Sequence, residues 1–177
     1  GLGDVYKRQI HEHVLQNGMT LLCWPQRHLH GLEFGLYLKG GPLYETEETQ
    51  GISNLLEHLC FRGLGGLNRE GLLRELNRFG TNLDAATYAE GLVFRLKCLP
   101  RFFDAALEYF LRFFANVPWT PEQIAAEKQV VLRQLEADGD GDLFDRAACD
   151  FRKTENGAFP PLGTPESLMA LTEADIQ

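Results

Sequence analysis

The apolar residues of this chain change period several times along its length, and any fold must accommodate each change. From Ile10 the pattern alternates. Residues 10–16 and 19–24 flank Asn17-Gly18, a pair that accepts the left-handed backbone of a hairpin turn, and "LEFGLYLKG" at 32–40 supplies a third strand. The period then switches to helical in "GISNLLEHLCFRG", 51–63, where Ile52, Leu55, Leu56 and Leu59 form one face. After "GLGG", Asn68 is placed to cap a helix running to Phe79 and stopped by Gly80, with Leu72, Leu73, Leu76 and Phe79 as its buried stripe. Two strands follow, near 81–88 and 91–98. Pro100 opens a helix with Phe103, Ala106, Leu107, Phe110, Leu111 and Phe114 at core spacing. Thr120 caps another, with Pro121 in its first turn. There is no internal repeat. Strands, paired helices, a hairpin and further helices make an α+β plan, a mainly antiparallel sheet with helices packed on one face.

Composition bounds what such a fold does. At 177 residues, 44% hydrophobic and 24% charged, the chain suits one domain with a substantial core. Its net charge of −8 argues against nucleic acid and anionic membranes, which attract basic surfaces, and favours peptides, basic ones included. No run of eighteen apolar residues suggests a membrane span. Cys23, Cys60, Cys98 and Cys149 are far apart, which suggests neither a zinc knuckle nor a disulfide framework; a reducing, cytoplasmic setting is expected. The opening "GLGDVYKRQ", residues 1–9, reads as a translated sequencing adaptor, so the domain is expected to run from 10 to 177. Its last residues, "LTEADIQ", read as a helix start with Thr172 as cap, cut off within the element.

The chemistry concentrates on the first helix. In the 51–63 helix, Asn54, Glu57 and His58 fall on one face, opposite the leucines. A glutamate beside a histidine is common on solvated helix faces, so this alone is a weak signal. The surrounding run "GGPLYETEETQGISNLLEHLCFRGLGG" resembles the opening of the pitrilysin and insulinase peptidases, relatives of mitochondrial processing peptidase, which carry an inverted zinc motif, His-x-x-Glu-His, and a Phe-basic-Gly exit. "LDAATYAEGLVF" at 83–94 resembles the family's Asn-Ala-x-Thr strand, with Asp84 in place of Asn. "EKQVVLRQLE" at 127–136 resembles the helix that carries the third ligand, and "LGTPESLMALTEADI" the tail of the domain.

The resemblance implies zinc chemistry, in which two histidines and a distant glutamate hold the metal while the motif glutamate takes a proton from its water. In this chain Glu57 stands at the base position and His58 at one ligand position, whereas Asn54 and Gln134 stand at the other two, with Glu127 the second-shell glutamate before the third ligand. Neutral amides are poor zinc donors. Weak or absent zinc is the expectation, with Asn54, Glu57, His58, Glu127 and Gln134 joined in a hydrogen-bonded network and His58 protonated between two carboxylates. Cys60 is expected in the core, His11 and His13 on surface strands, His28 and His30 in a loop. In the family the strand near 82–87 binds peptide at a sheet edge by main-chain pairing, which assigns that role to Asn82, Asp84, Ala85, Ala86 and Thr87. Three functions remain: a non-catalytic peptide-binding partner of an intact homologous subunit or domain half, an active zinc endopeptidase with unusual ligands, or an assembly subunit of the kind some relatives supply to respiratory complexes.

Overall fold

The computed structural model describes residues 10–26, 28–64, 67–114, 119–138 and 162–176, so the adaptor-like residues 1–9 and Cys149 lie outside the described residues. The chain divides into two compact units, residues 1–31 and 32–177. In the first, β1 (His11–Val14) and β2 (Thr20–Cys23) pair antiparallel, with Val14 opposite Thr20. Gly18 takes φ +85°, which a side chain at that position resists, and the Met19 N–H donates to Asn17 Oδ1 at 3.1 Å. Both strands are exposed, His11 and His13 included, and so are His28 and His30.

The second unit is built on an antiparallel sheet of order β3-β7-β6, from β3 (Leu32–Lys39), β7 (Gly91–Cys98) and β6 (Leu83–Tyr88). The three strands expected at the start of the chain are present, but they do not share one sheet: β1 and β2 form a sheet of their own and β3 pairs with β7. Register explains the choice. Leu32, Phe34 and Leu36 stand opposite Cys98, Leu96 and Phe94, so one apolar face runs unbroken across both strands. A short ribbon of β4 (Gly63–Leu64) and β5 (Leu67–Asn68) precedes the second helix.

Six helices accompany the sheet among the described residues: α1 (Ile52–Cys60), α2 (Arg69–Arg78), α3 (Phe103–Phe113), α4 (Pro121–Asp138), α5 (Pro165–Ala170) and α6 (Glu173–Ile176). Their starts follow the local chemistry. Asn68 Oδ1 accepts from the Gly71 N–H at 2.9 Å, and Thr120 and Gln123 cap α4 reciprocally. Pro100 first makes a 3₁₀ turn through Phe102, after which α3 begins. At α6 the Thr172 N–H and hydroxyl both donate to Asp175 Oδ2.

The core gathers Leu55 and Leu59 of α1, Leu72 and Leu76 of α2, Phe110 of α3, Val131 of α4, Leu168 of α5 and the inward face of β7. Phe34 meets Phe110 edge to face at 5.2 Å, and Phe94 meets Phe114 at 5.1 Å. Trp119 is buried beside the α4 cap and its indole N–H donates to Leu59 O at 3.1 Å. Cys60 is also buried; desolvation, reinforced by the Glu57 charge, pushes its thiol up to about 12, so it stays protonated. Two leucines depart from the expected stripes. Leu73 is 48% exposed and Leu111 56% exposed, each one position around its helix from the buried Leu72 and Phe110. Leu55→Ala is therefore expected to cost about 2–5 kcal/mol and Leu73→Ala less than about 0.5 kcal/mol, read by urea unfolding of the full-length protein.

Candidate functional site

Helix α1 is held at its first turn before any of its functional side chains comes into play. Gly51 has φ +84°, and a Cβ there would lie 2.7 Å from Leu162 O, so glycine is required on both counts. The buried Glu45 carboxylate accepts from the Gly51 N–H at 2.8 Å and the Ser53 N–H at 3.0 Å, satisfying donors that the helix cannot bond internally. With Leu55 and Leu59 fully buried, the opposite side of α1 meets α4 and β6.

Glu127 of α4 is the centre of that contact. His58 Nδ1 lies 3.1 Å from Glu127 Oε1, and Arg62 Nε pairs with Glu127 Oε2. Burial alone pushes the Glu127 carboxyl up, but the bonds and charges of His58 and Arg62 outweigh it and hold the group below the ordinary carboxylate range. The carboxylate is therefore an acceptor, so His58 donates from Nδ1 and leaves Nε2 free. Glu57 turns to the sheet, where its Oε2 accepts from Thr87 Oγ1 at 2.5 Å. Glu57, His58, Arg62, Arg69 and Glu127 line one cleft of about 240 Å³.

The remaining predicted residues do not join this group. Asn54 is buried with no hydrogen-bond partner for Oδ1, and neither it nor the half-buried Gln134 lines the cleft. Gln134 lies two helical turns from Glu127, roughly 10 Å along the axis, and makes no hydrogen bond among the described residues. The expected five-residue network reduces to His58 and Glu127, with His58 bonded to one carboxylate instead of two. Arg62 and Arg69 were not among the predicted site residues. Arg62 falls four residues after His58, the spacing of one helical face, and that was its signal in the sequence.

Among the described residues no three His, Cys, Asp or Glu side chains come together as a metal-binding group. Were the family's three ligand positions to fall on Asn54, His58 and Gln134, as the resemblance implies, the donor set of one imidazole and two neutral amides would not fit catalytic zinc.

Beside the cleft, β6 pairs only with β7 among the described residues, which leaves its other side as a sheet edge. The two-residue turn Ala89-Glu90 makes Tyr88 and Gly91 a hydrogen-bonded pair. By alternation Ala86 and Asp84 also direct their main-chain groups to β7, whereas Ala85 and Thr87 direct theirs outward. Of the strand residues expected to bind at this edge, Ala85 and Thr87 therefore offer main-chain groups to it, and Asp84 and Ala86 do not. The Asp84 side chain pairs with Arg95 at 2.6 Å, and Asn82 is exposed just before the strand.

The insulinase (peptidase family M16) model matches residues 30–149. The chain belongs to this family. It is 28% identical over 162 residues to an uncharacterized zinc protease of Rickettsia felis, covering 90% of this chain and 39% of that protein. It is 27% identical over 146 residues to the mitochondrial-processing peptidase beta subunit of Caenorhabditis elegans, covering 81% and 32%. The chain thus spans about two fifths or less of these relatives' lengths. A protease from Helicobacter pylori superposes with a TM-score of 0.83 at 21% identity, over 96% of this chain and 42% of that one. An inactive M16 domain from Pseudomonas fluorescens superposes at 0.82 with 17% identity, over 95% and 42%. These structures establish an M16 peptidase fold, and the α+β architecture with it.

The depressed carboxyl of Glu127 in this M16 domain gives a pH signature. Its contribution to stability is full above the unfolded carboxyl value of roughly 4 and is lost as pH falls through the lower folded value. Glu127→Gln is expected to destabilise the protein at pH 7, and the gap from the parent is expected to narrow below about pH 4, measured by urea unfolding across that range.

Proposed function

We propose that this M16 domain binds peptides without cutting them, as the non-catalytic partner of an intact homologous subunit or domain half. The observation that carries the reading is the neutral amide at two of the three ligand positions, Asn54 and Gln134, both outside the cleft that holds Glu57 and His58. The relative from Caenorhabditis elegans is named as one subunit of a processing peptidase, which accords with a paired assembly, and the Pseudomonas fluorescens neighbour as an inactive domain, which accords with a non-cutting half. Peptide binding would use the outward main-chain groups of Ala85 and Thr87 and needs no metal.

A second reading, an active zinc endopeptidase with unusual ligands, has one observation in its favour. His58 leaves Nε2 free while a carboxylate holds Nδ1, which is how metal-binding histidines are commonly oriented. Metal content separates the two. After dialysis against trace zinc, elemental analysis of the purified full-length protein is expected to find far less than one zinc per chain, and near-stoichiometric zinc would defeat the non-catalytic reading. The double variant Asn54→His with Gln134→Glu, which restores the family's ligand types, is expected to bind zinc at least 100-fold more tightly.

The peptide site has its own test. Ala85→Pro removes an outward donor and is expected to weaken peptide binding in EDTA while leaving the fold intact. Ala86→Pro removes a donor to β7 and is expected to lower stability as well. Fluorescence polarisation with a labelled peptide, paired with thermal unfolding, distinguishes them. Equal peptide affinity in the parent and Ala85→Pro would remove the edge-strand mode.

A further inference from the structure

The charges around the cleft are not matched evenly. Of the two carboxylates, Glu127 is held by Arg62 and His58, and Glu57 accepts from the Thr87 hydroxyl. Of the two guanidiniums, Arg62 is held by Glu127. Arg69 is exposed and makes no ion pair among the described residues, yet it lines the same cleft.

The helix that carries Arg69 gives no reason for a cation at this place. Arg69 is the first residue of α2, where the helix dipole disfavours positive charge, and the side chain of Asn68 already caps the turn. Glu70, the acidic residue next in the chain, points away around the helix by the angle that separates consecutive positions. What a guanidinium with no ion pair among the described residues does offer to this cleft is a planar fork of N–H donors, the shape that pairs with a carboxylate through two parallel bonds.

We infer that Arg69 is a specificity residue of the cleft and binds a carboxylate of the peptide, carried either on an acidic side chain or at a free C-terminus. This rests on the peptide-binding reading and sharpens it. The net charge of −8 attracts basic peptides from a distance, while Arg69 acts at contact range, so a preferred peptide is basic overall and carries a carboxylate at one defined place. Both ligand sources share the chemistry. They differ in whether an Asp side chain or the peptide's own terminus supplies it.

The test is fluorescence polarisation in EDTA on the full-length protein with its partner subunit. One arm scans Asp against Asn through each position of an amidated basic peptide; the other compares the free and amidated C-termini of the same peptide. In the parent, one position or the free terminus is expected to bind about two- to fivefold more tightly, the range an exposed ion pair supplies. Arg69→Gln is expected to abolish that preference, and Arg69→Glu to reverse it in favour of Lys at the same position. Both variants alter an exposed side chain, and unchanged urea unfolding confirms that the fold is kept. Binding with no carboxylate preference at any position, or a preference that persists in Arg69→Gln, overturns the role of Arg69 and leaves peptide binding standing. No binding by any peptide overturns both.

Discussion

A single buried carboxylate, Glu127, fixes α4 against α1. One oxygen meets His58 within α1 and the other meets Arg62 just beyond its end, so the helix and its exit are held at two points. A carboxylate this buried is costly unless its charge is met, and removing either partner would leave it short. The helix pair can therefore settle only in an arrangement that brings both donors, the His58 ring and the Arg62 guanidinium, to it. That arrangement sets the cleft, because the residues that satisfy Glu127 are also the residues that line it.

The sheet is coupled to the same place from the other side. Glu57 bonds Thr87, so the face of α1 that carries the cleft is pinned to the strand whose outer edge is free. Thr87 serves both elements: its hydroxyl reaches Glu57 while its main-chain groups point outward for pairing. A peptide added to β6 would run beside Glu57 and the mouth that Arg69 lines. In the function proposed above, an extended chain would be held by the outward main-chain groups of β6, a mode of binding that calls on no metal.

Much of this was legible wherever local chemistry decides. Asn17-Gly18 made its hairpin, Asn68 and Thr120 made their caps, and the leucine face of α1 went to the core. Leu73 and Leu111 misled because two adjacent apolar residues, Leu72 with Leu73 and Phe110 with Leu111, fit a 3.6-residue stripe almost equally well, and only the neighbouring elements select which one is covered. The outward direction of Ala85 was present in the sequence through the two-residue turn after Tyr88, a parity that hairpin length fixes without any tertiary contact. The partner of β3 was not legible, since strand order depends on which distant strand offers a matching apolar face.

By itself the sequence determined most of the elements, their caps and the family, because each depends on residues close together in the chain or on residue type alone. Only the tertiary structure decided how those groups meet. It brought Arg62 to Glu127 across sixty-five positions, turned Glu57 to Thr87 instead of His58, and left Asn54 Oδ1 buried without a hydrogen-bond partner among the described residues. The physical reason is that buried charges and polar atoms choose partners by distance in space, and many pairings equally compatible with the spacing of the sequence differ only in how helix and sheet finally pack.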